Sequence, residues 1–170
     1  MIEPRHYGHG DLPHIRQVLL DIHAAVPEYP PDDPFVQRFP WFVDQWGGRP
    51  GFTCVIGYDG DEPAGFAYGA PLAEGREWWR GHHTPAAGAS RTYAVSELMV
   101  RPRWRGTGAA GRLHDALLAG REEDLAVLLF DAAHPRVRAL YARWGYERVG
   151  DDRPFPDAPV FSVMVKPLKP

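Results

Sequence analysis

A mixed α/β layer fold follows from three observations on this 170-residue chain. Helical and strand-like apolar periods alternate, one tight-turn signal joins two strand-like runs, and the C-terminal half interleaves apolar runs with helical patterns. The order they predict is β, two helices, a hairpin, then β-α-β-α-β-β. Ile2–Tyr7 reads as a short opening strand. Asp11 is a plausible N-cap, with Ile15, Val18, Leu19 and Ile22 at helical spacing behind it. After a proline-rich loop at Glu28–Pro34, Asp33-Pro34 looks like a second helix start. Phe35, Phe39, Phe42, Val43 and Trp46 would form its apolar face, and Pro40 would kink or split it.

Gly51–Tyr58 and Ala64–Gly69 form the expected hairpin around Asp59-Gly60-Asp61. Pro71–Arg91 is a long irregular segment holding Trp78, Trp79, His82 and His83; loops of this length are usually functional or mobile. Val95–Val100 is the next strand, followed by a glycine-rich turn and a helix over Ala109–Leu118. Leu125–Phe130 suits a strand buried on both faces. His134–Trp144 reads as a helix with Val137, Leu140, Tyr141 and Trp144 on one side and Gly145 as its cap. Tyr146–Val149 and Val160–Val165 would close the fold around the loop DDRPFPD.

The length fits one domain over residues 1–170. A hydrophobic fraction of 44% and a charged fraction of 24% are ordinary for a globular protein. A net charge of −3 and a pI near 6.2 argue against a chain that coats nucleic acid. Nearly all basic residues are arginine, with Lys166 and Lys169 the only lysines, so a single arginine is a weak functional clue. Cys54 stands alone, which excludes an intrachain disulfide and makes a reducing compartment the default. With no apolar leader-like start and no stretch of membrane-spanning length, a cytoplasmic protein without a membrane partner is expected. The histidines are scattered and one cysteine leaves no compact zinc set, so no metal is expected either.

The chemistry concentrates in Arg105-Gly106-Thr107-Gly108-Ala109-Ala110-Gly111, between a strand and a helix start. A helix leaves its first N–H groups without intrahelical partners and adds partial positive charge there, which makes a phosphate cradle. Two ligands compete for it. Gly106 to Gly111 spells G-x-G-x-x-G, with Asp131 twenty residues past Gly111 where a ribose-binding acid would stand. Against a dinucleotide, Arg101 to Arg105 separates the glycines from the strand, the upstream strands form a hairpin, and little chain follows Asp131.

The second reading uses a longer pattern. Glu97-Leu98-Met99-Val100, then Arg101-Pro102-Arg103-Trp104, then Arg105-Gly106-Thr107-Gly108-Ala109-Ala110 resembles the central motif of the GNAT superfamily of acyl-CoA-dependent N-acyltransferases. The resemblance continues in His134-Pro135-Arg136-Val137-Arg138-Ala139-Leu140-Tyr141-Ala142-Arg143-Trp144-Gly145-Tyr146. Here His134 stands where the family favours asparagine and Val137 where it favours alanine. The resemblance implies a mixed, mostly antiparallel sheet of about seven strands flanked by about four helices, with a cleft for coenzyme A where two strands splay apart. It implies acetyl-CoA as co-substrate, with the backbone of Leu98, Met99 and Val100 pairing with the pantetheine arm. Arg105 to Gly111 would hold the pyrophosphate, and His134 would reach the pantetheine arm. A catalytically inactive CoA-binding or sensor module is the alternative from another class.

The implied reaction is attack by a neutral primary amine on a thioester. An alkyl amine with a pKa near ~10 is mostly protonated at neutral pH and must lose a proton first. Glu97 is the candidate base, directly or through a water, with strand alternation placing it opposite in facing to Leu98 and Val100. Its plainer reading is a carboxylate facing solvent or paired with an arginine. Tyr141 matches the second motif and is the candidate donor to the departing thiolate; without that match it would read as a core tyrosine. A backbone N–H near Met99 or Val100 would hold the oxyanion. On the acceptor side, Tyr29 and Trp41 stand out among Glu28, Asp32, Asp33 and Asp44, a mixture of acids and rings suited to an ammonium group. Phe35, Phe39, Phe42 and Trp46 fit better the inward face of an amphipathic helix with acids outward. A small-molecule or peptide amine is the expected partner, and a homodimer is left open.

Overall fold

The computed structural model describes residues 1–169. Its elements are β1 (Glu3–Gly8), α1 (Leu12–Ala24), a 3-10 turn (Val36–Arg38), α2 (Phe39–Gly47), β2 (Thr53–Asp59), β3 (Glu62–Pro71), β4 (Thr92–Val100), a 3-10 turn (Pro102–Trp104), α3 (Ala109–Leu118), β5 (Leu125–Asp131), α4 (Pro135–Arg143), β6 (Glu147–Asp152) and β7 (Phe161–Pro167). The seven strands form one sheet in the order β1-β2-β3-β4-β5-β7-β6. The pairs β1–β2, β2–β3, β5–β7 and β6–β7 are antiparallel, and β4–β5 is parallel. A parallel pair needs a crossover connection, which α3 supplies. The chain gathers into two compact units, one of Met1–Ala70 with Ser96–Gly120, the other of Pro71–Val95 with the chain from Arg121 on.

In the first unit, α1 turns Ile15, Leu19 and Ile22 inward, as their spacing demands. Asp11 sits at the N-cap position without capping: its carboxylate instead accepts the Gly8 N–H at 2.7 Å and closes the preceding turn. Pro40 splits the second helical stretch, leaving a 3-10 turn before it and starting α2, where its missing N–H costs nothing. Phe39 and Trp46 of α2 lie over Phe66 and Tyr68 of β3, with ring centroids 6.3 and 6.4 Å apart. Cys54 and Ile56 stand directly across β2–β3 from Tyr68 and Phe66, so all four share that face. On the other face α3 comes close: a side chain at Gly57 would meet Leu113 and Ile2, and one at Gly65 would strike the Met99 carbonyl and Leu113.

In the second unit, β5 is buried between β4 and β7, as its unbroken apolar run predicts. The Pro71–Arg91 segment has no helix or strand beyond its first residue, but it is anchored. Trp79 is buried and donates its indole N–H to Thr92 Oγ1 at 2.8 Å. His82 lies so close over Gly150 of β6 that a side chain there would collide with its ring. Asp151 and Asp152, expected in a loop, belong to β6, where Asp151 accepts bonds from Ser162 and Arg148.

Candidate active site

The glycine-rich turn is built on the first unit. Trp104 is buried and donates its indole N–H to Asp59 Oδ2 at 3.0 Å, which ties the turn to the β2–β3 hairpin. Arg103 lies over the Trp104 ring and pairs with Glu62 at 3.0 Å. The Thr107 hydroxyl donates to the Trp104 carbonyl. Gly106 and Gly108 adopt φ of 74° and 83°, a left-handed backbone that other residues take only under strain. Nothing stands within 4 Å of where their side chains would be, so backbone conformation, rather than crowding inside the protein, selects glycine. Helical pairing is under way by Arg112, whose N–H bonds the Gly108 carbonyl at 3.1 Å. The residues from Arg105 to Gly108 are exposed, and Ala109 is already buried. An exposed helix N-terminus on a fixed turn can hold an anion such as a diphosphate.

Arg105 is engaged elsewhere. Its guanidinium makes a two-pronged pair with Glu28 at 2.6 and 2.7 Å, which holds its pKa above the ordinary arginine value. An exposed pair of this kind is cheap to break. Tyr29 follows directly in sequence, and its ring stacks on His23 at 5.0 Å while His23 lies flat on Phe39 at 3.9 Å. Burial lowers the His23 pKa to about 4, so this ring is neutral near pH 7. Trp41 lies on the outer face of α2, edge-on to Phe42 and beside Arg38, with 51% of its surface exposed.

Glu97 lies on β4, half-buried, and no hydrogen bond or ion pair to its carboxyl is found among the described residues. Desolvation alone pushes its pKa up to about 8. That is the range in which a carboxylate can take a proton from an ammonium without holding it too weakly. Leu98 and Val100 are half-buried and Met99 is buried. The parallel ladder joins Thr92–Val95 to Leu125–Leu128, and both strands run on past it. Cys54 is buried and burial holds its thiol protonated, which makes it packing and not a nucleophile.

Tyr68 had no place in the sequence reading of the site. Its ring is fully buried among Trp46, Phe52 and Phe66, and its hydroxyl is buried without a hydrogen-bond partner. Such a group costs about 1–3 kcal/mol. Burial, then the charge of Glu97, raise its pKa well above the usual phenol value, and the Ser96 side chain beside it pulls the other way. Nothing in the run Phe66-Ala67-Tyr68 distinguishes this tyrosine from an ordinary core residue in a strand.

The second unit holds the other two candidates. Tyr141 of α4 is half-buried in an aromatic nest, 5.4 Å from Trp144, 5.8 Å from Tyr146 and 5.9 Å from Phe130. His134 occupies the N-cap position of α4 without capping it, exposed, with Nε2 3.7 Å from Asp131 Oδ2. Asp131, the acid of the dinucleotide reading, accepts the Ala133 N–H at 2.9 Å. Among the described residues no cluster of three or more His, Cys, Asp or Glu side chains is arranged to hold a metal, and no helix is long and apolar enough to cross a membrane.

The sequence model of the Acetyltransferase (GNAT) family matches residues 16–146. No sequence among curated proteins matches the chain. Solved structures of similar fold include an acetyltransferase from Thermus thermophilus, at 16% identity and TM-score 0.68, covering 98% of this chain and 97% of that one. NAA60 of Arabidopsis thaliana in complex with a bisubstrate analogue matches at 15% identity and TM-score 0.68, covering 99% and 100%. The NatC complex bound to Gag peptide and CoA matches at 16% identity and TM-score 0.66, covering 99% of each chain. These likenesses are of fold.

Proposed function

Because the chain belongs to the GNAT acetyltransferase family, we propose that it moves an acetyl group from acetyl-CoA to a primary amine by direct transfer in a ternary complex. The observation that carries this reading is the Glu97 carboxyl, desolvated, unpaired and pushed up to about 8, on the strand that leads into the exposed glycine turn. A CoA-bound relative of the same fold and the bare amides at the start of α3 support a coenzyme A ligand there.

The diphosphate sits on the N–H groups from Gly106 to Gly111, with Thr107, Ala109 and Ala110 lending backbone only. Arg105 adds its charge once it exchanges Glu28 for phosphate. The pantetheine arm lies along Leu98, Met99 and Val100, and His134 is assigned to the same arm by its place in the second motif. The acceptor arrives as an ammonium, and Tyr29 and Trp41 offer it ring faces. Glu97 takes its proton, the freed lone pair attacks the thioester carbon, and an N–H near Met99 or Val100 holds the oxyanion. Collapse breaks the C–S bond, the thiolate takes a proton from the Tyr141 hydroxyl, and the second proton shed by the acylated nitrogen passes through water to restore the phenol. A polyamine, an amino acid, an antibiotic or a peptide N-terminus all satisfy this chemistry. A cytoplasmic setting is part of the same proposal.

Thiol release from acetyl-CoA, measured across a panel of such amines, tests the reading. The rate with limiting amine should rise with pH and level off above about 8. Glu97→Gln should lower turnover about 10²- to 10⁴-fold with acetyl-CoA affinity nearly unchanged. Acetyl-CoA binding with no turnover on any amine would instead identify a sensor, and stabilisation by a dinucleotide but not by CoA would sink the acyl-transfer reading.

A further inference from the structure

The β3–β4 pair is pinned at both ends. The Arg101 N–H bonds the Ala64 carbonyl at 2.8 Å, and the Leu72 N–H bonds the Thr92 carbonyl at 3.0 Å. Directly bonded residues stand opposite each other in an antiparallel pair. Counting inward from Arg101 and Ala64 sets Glu97 across from Tyr68; counting inward from Thr92 and Leu72 sets Ser96 there instead. The two counts differ by one residue, so β4 carries one extra residue between Thr92 and Arg101, and Ser96 and Glu97 both lie near enough to act on the Tyr68 hydroxyl. The sheet thus gathers a carboxyl, a serine hydroxyl and a buried phenol with no hydrogen-bond partner.

We propose that Tyr68 is a positioning residue for the Glu97 base, its hydroxyl donating through one bridging water to the Glu97 carboxylate, with Ser96 as the water's third partner. This rests on the acyl-transfer reading for its catalytic consequence, but not for its physical content. A water with two or three polar partners is what a buried orphan hydroxyl beside a carboxyl calls for. Donation favours the ionised carboxylate, so it opposes the desolvation that raises Glu97. When Glu97 takes the acceptor's proton, the water turns to accept from the new O–H, and no bond other than N–H and O–H changes.

The other groups around this site leave the assignment clean. The Cys54 thiol, directly across β2–β3 from Tyr68, is held protonated by burial, and His23 is neutral above about 4. Tyr29 lies near enough to act on Tyr68, and Arg105 beyond it is held above its ordinary value by Glu28. Burial pushes the Glu97 carboxyl up to about 8.

The test is a carbon-13 titration of the glutamate side-chain carboxyls in the full chain, with Glu97→Gln assigning the resonance. Tyr68→Phe should raise the Glu97 midpoint by about one pH unit, and Ser96→Ala by less. The Phe variant should melt no lower than the parent, because it removes a buried hydroxyl that has no protein partner. If thiol release is detected, Tyr68→Phe should lower the rate about tenfold at pH 7 and approach the parent rate above pH 9. An unmoved Glu97 midpoint, or a melting temperature several degrees lower, overturns the proposal. A shifted midpoint in a protein that never turns over acetyl-CoA would keep the Tyr68–Glu97 link and remove the acyltransferase reading.

Discussion

The helices α3 and α4 are nearly equal in length, and each begins where a ligand is proposed to bind, yet they are held in opposite ways. α3 buries Ala109, Leu113, His114 and Leu117, and the glycines at 57 and 65 clear space for it against the sheet. Its entry turn is fixed by two left-handed glycines and by the Trp104–Asp59 bond. α4 buries no residue at all: Val137, Leu140, Tyr141 and Trp144 keep the predicted spacing but are only half-covered. A helix rooted in the core presents its N-terminus at a set place and serves an invariant task such as holding a diphosphate. A helix resting on a partly open aromatic face keeps apolar surface available for something else to cover.

The largest separation between them should appear in stability. Leu113→Ala should cost about 2–5 kcal/mol in denaturant unfolding, whereas Leu140→Ala should cost less than about 1 kcal/mol. Equal losses would erase the distinction. Activity should reverse the order: Tyr141→Phe is expected to lower turnover by about 10- to 1000-fold while leaving melting temperature and acetyl-CoA affinity nearly unchanged. Undiminished turnover would return Tyr141 to packing. The smallest effect is expected at the turn itself. Gly108→Ala forces a side chain onto a backbone with φ of 83° and should weaken acetyl-CoA binding about tenfold by calorimetry. Unaltered affinity would mean that the turn does not hold the diphosphate.

Much of the architecture was legible from local chemistry. Pro40, the Gly60-Asp61 turn, the Ala109–Leu118 helix and the left-handed Gly145 after α4 follow from what proline, glycine and a 3.6-residue period permit. The element order and the two motifs behind the family assignment were also visible in residue types and spacing alone. Local chemistry misled where two local partners competed. Asp11 had the right position to cap α1, but its carboxylate accepts the Gly8 N–H instead.

The site's electrostatics belonged to the tertiary structure, because they depend on groups distant in the chain. Glu97 is an ordinary carboxylate until the fold strips water from it and brings no cation near. Arg105 looked free for phosphate, yet it pairs with Glu28, 77 residues away. Tyr68 became notable only when the fold brought Ser96 and Glu97 near its buried hydroxyl. Periodicity and turn chemistry act over a few residues and can be read from a string of letters, whereas desolvation and charge pairing act through space and exist only once the chain has closed on itself.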